Sequence, residues 1–210
     1  MTGRSGDTTE WVTHYRSAAP GECRPALLCD RDGTLIENVP YLADPRGVRL
    51  IDGVQDRLRA FRERGYLIVQ VSNQSGVARG KLTPKQYALV QRRVVDCLGD
   101  GLIDAAYACP WLAGGIAPFD IDHEWRKPAP GMLLAAARDL DLDLARSIMV
   151  GDSLSDLQAG SAAGVGRLVH VSTGHGDRER AAVQDWARKG GHVVDCLESI
   201  ADLQPPPEDR

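Results

Sequence analysis

The chain has 210 residues, of which 43% are hydrophobic, and its 25 lysines and arginines against 29 aspartates and glutamates give a formal net charge of −4. This length suits one domain, or one domain with a small appendage. The lack of a cationic excess argues against duplex nucleic acid or an anionic membrane surface as a partner, because both reward clustered positive charge.

Nothing in the sequence predicts export or membrane insertion. Residues 1–25 contain no apolar stretch of the ~7–15 residues that a secretory signal needs, and no later run approaches the ~18–20 apolar residues of a membrane span. The five cysteines are odd in number and widely spaced, which is typical of reduced thiols rather than of a disulfide framework. We therefore expect a soluble cytoplasmic protein, either a monomer or a homodimer.

Short apolar runs alternate with amphipathic stripes along most of the chain. In chain order, strands are predicted over residues 26–29, 66–72, 103–108, 147–150, 167–171 and 192–194. Helices are predicted over residues 54–64, 83–98, 131–140, 154–163 and 197–203. This alternation predicts an α/β fold, a Rossmann-like three-layer sandwich with a mostly parallel central sheet and right-handed crossovers.

The domain boundaries follow from changes in composition. Residues 1–25 are predicted to form an N-terminal arm, with Trp11, Val12 and Tyr15 as its bulky apolar side chains. Residues 26–203 form the predicted domain, and residues 204–210, which are rich in proline, form a flexible tail. Residues 109–126 lack a helical period and are predicted to be a long loop, of the kind that is usually functional or mobile.

Hydrophilic clusters follow three of the predicted strands. They are Asp30-Arg31-Asp32-Gly33-Thr34, Ser72-Asn73-Gln74-Ser75-Gly76 and Gly151-Asp152-Ser153-Leu154-Ser155-Asp156. Ligands of open α/β sheets bind beyond the carboxyl ends of the strands, so we expect these clusters to converge. Any single aspartate among them would also suit a helix cap, but capping does not require two aspartates two residues apart. Converging carboxylates repel one another unless a cation intervenes, and oxygen ligands favour Mg²⁺ over zinc.

Four motifs in this order resemble those of the haloacid dehalogenase-like (HAD) phosphatases, over about residues 26–173. They are Asp30-x-Asp32-Gly33-Thr34, Ser72-Asn73-Gln74, Lys127-Pro128 and Gly151-Asp152-x-x-x-Asp156. The longer runs around them, including Arg126-Lys127-Pro128-x-Pro130-Gly131-Met132, resemble one branch of that family. That branch holds the D-glycero-D-manno-heptose 1,7-bisphosphate 7-phosphatases and the histidinol-phosphate phosphatases.

The resemblance implies a phosphatase that works through a covalent intermediate. Asp30 would be the nucleophile that forms an aspartyl-phosphate, and Asp32 the general acid that protonates the departing oxygen and then activates water. Ser72 and Lys127 would hold the phosphoryl oxygens. The short gaps between the motifs leave no room for an inserted cap domain, so we expect an open site that suits a small phosphoester.

The resemblance also implies how the metal and the substrate are held. Mg²⁺ would be bound by Asp30, the backbone carbonyl of Asp32 and Asp152, while Asp156 organises the surroundings of the metal or orients Lys127. The expected substrate-binding residues are Asn38, Tyr41, Asn73, Gln74, Ser75, Arg79 and Arg126. For Tyr41 the alternative is simple packing, and for Arg79 it is a solvated loop.

The chain departs from the branch in the loop before Arg126. Typical members carry a structural zinc there, but Trp111 stands where a histidine ligand follows Cys109, and no cysteine occurs between Cys109 and Arg126. A closed zinc site needs four ligands, and His123 is the single other candidate. We therefore predict no zinc, and a loop held by the packing of Trp111, Ile116, Phe119 and Trp125.

The leading functional hypothesis is a Mg²⁺-dependent phosphomonoesterase for a small phosphorylated metabolite. The best single substrate is D-glycero-D-manno-heptose 1,7-bisphosphate, from which the 7-phosphate would be removed. The alternatives are histidinol phosphate or another sugar phosphate, or a non-catalytic phosphate-binding module in which Asp30 is modified but never turned over. Asp32 favours turnover, because a pure phosphoryl acceptor has no need of a general acid.

Overall fold

A single seven-stranded sheet organises the computed structural model of this protein, which describes residues 8–16 and 23–207. The strands are β1 (Val12–His14), β2 (Ala26–Cys29), β3 (Leu67–Asn73), β4 (Ala105–Cys109), β5 (Ile148–Gly151), β6 (Arg167–Val171) and β7 (Val194–Leu197). Their order across the sheet is β1-β4-β3-β2-β5-β6-β7. Strand β1 pairs antiparallel with β4, and the other neighbouring strands pair parallel.

Within the described residues, five α-helices cover the two faces of the sheet. They are α1 (Val54–Glu63), α2 (Pro84–Leu98), α3 (Gly131–Leu140), α4 (Leu154–Ala163) and α5 (Gly176–Gly190). Short 3-10 turns lie at Thr8–Trp11, Pro45–Gly47, Leu144–Arg146 and Ile200–Asp202. No helix in the described ranges has the length and apolar character that crossing a bilayer requires.

The core has two halves because successive residues of a strand point to opposite faces. Leu28 belongs to a cluster that includes residues of α3, α4 and α5, whereas Leu27 belongs to a second cluster that includes residues of α1 and α2. Both leucines are fully buried. A strand that is apolar on both faces belongs in the middle of a parallel sheet. The predicted three-layer α/β fold is thus confirmed.

Local sequence signals set several of the helix boundaries correctly. Helices α3 and α4 have the predicted bounds, and α2 begins at Pro84 behind Thr83, whose side chain accepts a hydrogen bond from the Gln86 backbone in a capping box. The end of α1 lies one residue before the predicted end. The predicted final helix over residues 197–203 is a 3-10 turn at Ile200–Asp202, and the predicted strand over residues 192–194 is displaced to Val194–Leu197.

Two elements differ more strongly from the prediction. Three residues of the predicted arm form β1, with Val12 opposite Tyr107 of β4, while residues 1–7 and 17–22 of that arm lie outside the described residues. A three-residue edge strand is too short to show a period of its own, and Trp11 beside it is buried through tertiary contacts. The sequence-based prediction also omits α5, whose buried residues are Gly176 and Val183 and which carries seven charged residues among its 15.

Candidate active site

The carboxyl ends of β2, β3 and β5 meet at one edge of the sheet, as the strand-end clusters predict. Asp30 follows β2, and its backbone N–H donates to the carbonyl of Val150 in β5 at 3.0 Å. A cavity of about 400 Å³ opens at this edge. Its lining includes Asp30, Asp32, Asn38, Tyr41, Ser72, Asn73, Gln74, Ser75, Asp152, Asp156 and His175.

Three buried carboxylates form the floor of the site. Asp30, Asp152 and Asp156 each offer an oxygen within 4.8 Å of the others. The Nζ atom of Lys127 lies 2.6 Å from Oδ1 of Asp30, 2.6 Å from Oδ1 of Asp156 and 2.7 Å from the carbonyl oxygen of Val71. The contacts with Asp30 and Val71 are hydrogen bonds, and the contact with Asp156 is an ion pair.

Burial controls the protonation of this cluster. It raises the pKa of Asp30, with Asp156 and Asp32 adding to the rise and Lys127 opposing it. Burial, followed by the charge of Asp30, raises the pKa of Asp152. Burial alone would lower the pKa of Lys127. The carboxylates of Asp156 and Asp30 have the larger effect, so the Lys127 pKa is raised. One lysine therefore faces three carboxylates, an arrangement that favours a further cation.

The donor set of the cluster fits a hard divalent cation such as Mg²⁺, because its ligand atoms are carboxylate oxygens. Asp30 and Asp152 are two of the predicted ligands. Asp156 completes the cluster, but its Oδ1 is engaged by Lys127 and its Oδ2 accepts from the Ser153 backbone at 3.0 Å. The side chain of Asp32, in contrast, lies outside this cluster and is held by Arg31 and Gln74.

Asp32 lies in a hydrogen-bond network of its own. The Arg31 guanidinium contacts both carboxylate oxygens of Asp32, with Nη2 2.9 Å from Oδ2. Gln74 Nε2 donates to Oδ2 of Asp32 at 2.8 Å and to Oγ of Ser72 at 2.8 Å. Because Gln74 donates to Ser72, the Ser72 hydroxyl hydrogen remains available for a phosphoryl oxygen.

Asn73, a predicted substrate-binding residue, lines the cavity, but its side chain hydrogen-bonds to the backbone of Lys127. Its Nδ2 donates to the Lys127 carbonyl at 3.0 Å, and its Oδ1 accepts from the Lys127 backbone N–H at 3.1 Å. These reciprocal bonds join the end of β3 to the chain at Lys127. The side-chain contacts thus indicate that Asn73 positions Lys127.

The other predicted substrate-binding residues divide into two groups. Asn38, Tyr41 and Ser75 line the cavity together with Gln74. Tyr41 is 45% exposed and has a φ of 53°, a left-handed conformation that is uncommon for residues other than glycine. Arg79 is exposed outside the cavity lining, and Arg126 lines a second cavity together with Lys127.

The turn between β6 and α5 adds residues that the sequence-based prediction omits. His175 lines the cavity, and its backbone N–H donates to Oδ2 of Asp152 at 2.7 Å. Thr173 donates from Oγ1 to the carbonyl of Gly33 in the loop after β2. The signal was present, since Ser172-Thr173-Gly174-His175-Gly176 is a fourth hydrophilic cluster behind a predicted strand.

Aromatic side chains anchor the loop between β4 and α3. The Trp111 and His123 rings stack with centroids 4.0 Å apart, and Trp125 meets Trp111 edge-on at 6.4 Å. Trp111 and Trp125 are buried and Phe119 is partly buried, in agreement with the predicted packing. Ile116 is 54% exposed, so its predicted packing role is wrong; its backbone N–H instead donates to the Ala78 carbonyl at 2.7 Å.

The mostly parallel sheet and the Asp30–Lys127–Asp156 contacts at its edge agree with the resemblance to the haloacid dehalogenase-like phosphatases. Residues 124–200 match a family model described as HAD-hydrolase-like. Together with relatives that are 40% identical over most of their length, this shows that the chain belongs to the HAD-like phosphatase family.

The relatives that match most of this chain share one name. The chain is 40% identical over 183 residues to the D-glycero-β-D-manno-heptose-1,7-bisphosphate 7-phosphatase of Yersinia pestis, a match that covers 85% of this chain and 93% of that protein. It is 40% identical over 185 residues to the protein of the same name from Escherichia coli K12, covering 85% and 91%. A crystal structure of D,D-heptose 1,7-bisphosphate phosphatase from B. bronchiseptica, complexed with magnesium and phosphate, has a TM-score of 0.70 and 30% identity, covering 84% of this chain and 94% of that one.

Proposed function

We propose that this protein is a Mg²⁺-dependent phosphomonoesterase that removes the 7-phosphate of D-glycero-D-manno-heptose 1,7-bisphosphate. The observation that carries the proposal is the buried contact of Asp30 with Lys127 beside Asp152 and Asp156, at the floor of the cavity. The names of the relatives support the substrate, and the magnesium and phosphate bound to the B. bronchiseptica enzyme support the cofactor.

In the proposed first half-reaction, a carboxylate oxygen of Asp30 attacks phosphorus and the bond from phosphorus to the sugar oxygen breaks. The electron pair of that bond stays on the sugar oxygen, which takes the proton of Asp32 and leaves as an alcohol. The Ser72 hydroxyl donates to a phosphoryl oxygen. Lys127 supplies positive charge there once its contact with Asp30 is exchanged for one with the phosphoryl group.

In the second half-reaction, Asp32 takes a proton from water, and the resulting hydroxide attacks the phosphorus of the aspartyl-phosphate. The bond from phosphorus to Asp30 breaks, which releases phosphate and restores both aspartates. Asp30, Asp152 and the Asp32 carbonyl would hold Mg²⁺. When bound, the ion neutralises the charge of phosphate and carboxylates that would otherwise repel each other.

The test is phosphate release from a panel of phosphoesters in the presence of Mg²⁺. The panel contains heptose 1,7-bisphosphate, heptose 7-phosphate, histidinol phosphate and other sugar phosphates, and we expect the highest kcat/KM for the heptose bisphosphate. Preference for histidinol phosphate would replace the proposed substrate but keep the chemistry.

The nucleophile is tested with Asp30→Asn, which should lose turnover and also the acid-stable label that a phosphate-labelled substrate leaves on the wild-type protein. The matched control is Asp56→Asn, because Asp56 is an exposed aspartate on α1 that forms a surface ion pair with Arg59. Phosphate release that survives in Asp30→Asn would refute the assignment of Asp30 as the nucleophile.

A further inference from the structure

Arg31 is a buried cation that the proposed mechanism leaves without a task. It lies between the two aspartates of the Asp-x-Asp motif, and its side chain is 3% exposed. Its guanidinium lies over the ring of Tyr87, with Cζ 5.6 Å from the ring centroid. Burying a guanidinium is costly unless strong partners hold it, and Asp32 and Gln74 are its hydrogen-bond partners.

The contacts of the Asp32 carboxyl group are unequal. Its Oδ2 accepts from Arg31 Nε at 3.2 Å, Arg31 Nη2 at 2.9 Å and Gln74 Nε2 at 2.8 Å. Its Oδ1 has a single contact, with Arg31 Nη2 at 3.1 Å. Three donors leave little room for a proton on Oδ2, whereas Oδ1 keeps free capacity for a further hydrogen bond. Asp32 itself lines the cavity.

Gln74 ties this orientation to the phosphate side of the site. Its Oε1 accepts from Arg31 Nη2 at 3.0 Å, while its Nε2 bridges Asp32 and Ser72. Gln74 is 6% exposed, so the amide is held inside the protein. The network therefore fixes the distance between the group that would protonate the leaving oxygen and the group that would bind the phosphoryl oxygen.

We infer that Arg31 and Gln74 are positioning residues for proton transfer: they pin Oδ2 of Asp32 and so present Oδ1 to the leaving-group oxygen. This inference rests on the proposed function. In the step concerned, the bond from phosphorus to the leaving oxygen breaks, the proton moves from Oδ1 to that oxygen, and Asp32 becomes a carboxylate paired with Arg31. A misplaced Asp32 can still leave the attack by Asp30 intact, so the loss should depend on how much the leaving group needs the proton.

The experiment compares two substrates in the Arg31→Lys variant. Lysine keeps the charge but cannot make the forked contact of a guanidinium. The leaving group of a sugar phosphate is an alcohol, which needs the proton to depart. The leaving group of p-nitrophenyl phosphate is p-nitrophenolate, which is stable as an anion. The measured quantity is kcat/KM, because it ends at leaving-group departure and omits the later hydrolysis of the aspartyl-phosphate.

General acid catalysis is worth roughly 10²–10⁴-fold, so we expect Arg31→Lys to lose about 10–100-fold in kcat/KM on the sugar phosphate. On p-nitrophenyl phosphate the loss should be under about threefold, because the step that needs the proton is then bypassed. Asp32→Asn should show the same selectivity with a larger loss. The control Arg59→Lys, at an exposed arginine on α1, should match the wild type on both substrates.

Gln74→Leu gives a second measurement if Arg31→Lys does not fold, and it should also lose more on the sugar phosphate than on p-nitrophenyl phosphate. Equal losses on the two substrates in the folded variants would overturn the inference, since they indicate a structural role only. Failure of the wild-type protein to hydrolyse either substrate would instead refute the proposed function.

Discussion

At the scale of single residues, the site places more negative charge in the protein interior than Lys127 can balance. Burial raises the pKa of Asp152 to about 8, whereas an unfolded aspartate has a pKa of about 3.9. The metal-free folded state therefore keeps a proton that the unfolded chain releases between these pH values. The ionisation of Asp152 leaves the free energy of unfolding unchanged below about pH 4. It lowers that free energy progressively as the pH rises toward 8.

Asp152→Asn should relieve this cost, because asparagine does not ionise. In EDTA, the free energy of unfolding of the variant relative to the wild type should increase by about 1 kcal/mol or more between pH 5 and pH 8. Urea titrations at each pH measure the difference. Asp56→Asn serves as the exposed control with no such trend, and a relative stability that stays flat or falls with pH would contradict the interpretation of the cluster.

Residue identities were predictable where a chemical pattern coincided with a strand end. Asp30, Asp32, Ser72 and Asp152 satisfy both conditions, and the structure brings them to one cavity. The direction of a side chain is a different matter, since it depends on neighbours that are distant in sequence. Asn73 bonds to Lys127, 54 positions later, and no local pattern around Asn73 predicts that contact.

At the scale of elements, prediction succeeded for helices α1 to α4, each of which buries three to five residues. It failed for α5, which buries two residues, and for β1, which buries none. Helix α3, with five buried residues, matches its predicted bounds, whereas α5, with seven charged residues among its 15, was missed. Strand β1 was missed because its three residues are held in the sheet by pairing with β4 and by the burial of Trp11, which are tertiary contacts. In both cases tertiary contacts outweigh the local signal.

The loop between β4 and α3 depends on its aromatic anchor, and Trp111→Ala tests this. Removal of a buried tryptophan side chain costs roughly 3–5 kcal/mol, and Trp111 is 3% exposed. We expect the free energy of unfolding of the variant, measured by urea titration, to fall by that amount. Ile116→Ala, in the same loop but exposed, should change stability by less than about 0.5 kcal/mol. A loss below about 1 kcal/mol in Trp111→Ala would mean that other contacts hold the loop.

At the scale of the whole molecule, the site exists only when the sheet is assembled. Its groups come from the ends of β2, β3 and β5 and from the chain before α3, so the unfolded chain cannot offer the same ligands. A ligand that binds only the folded state stabilises it according to its concentration relative to its Kd. The cytoplasmic location and the monomer or homodimer expected from the sequence stay predictions.

Magnesium should therefore stabilise this protein against heat. At 100 times its Kd, we expect Mg²⁺ to add about 2.7 kcal/mol to the free energy of unfolding. At ~2–4 °C per kcal/mol for a chain of this size, that is a rise in Tm of about 5–10 °C. Scanning calorimetry across a Mg²⁺ titration measures the shift, and Asp152→Asn should show much less of it. An equal shift in both proteins would place the ion elsewhere.

The aromatic anchor of the loop has a practical consequence for following the enzyme at work. Three of the four tryptophans, Trp11, Trp111 and Trp125, lie in one cluster, and Trp125 is two residues from Lys127. The fourth, Trp186, stacks on His192 in another part of the molecule. The tryptophan fluorescence of a Trp186→Phe protein would thus come from the cluster alone. Its emission would report movement of the loop beside Lys127 in real time, without any attached dye.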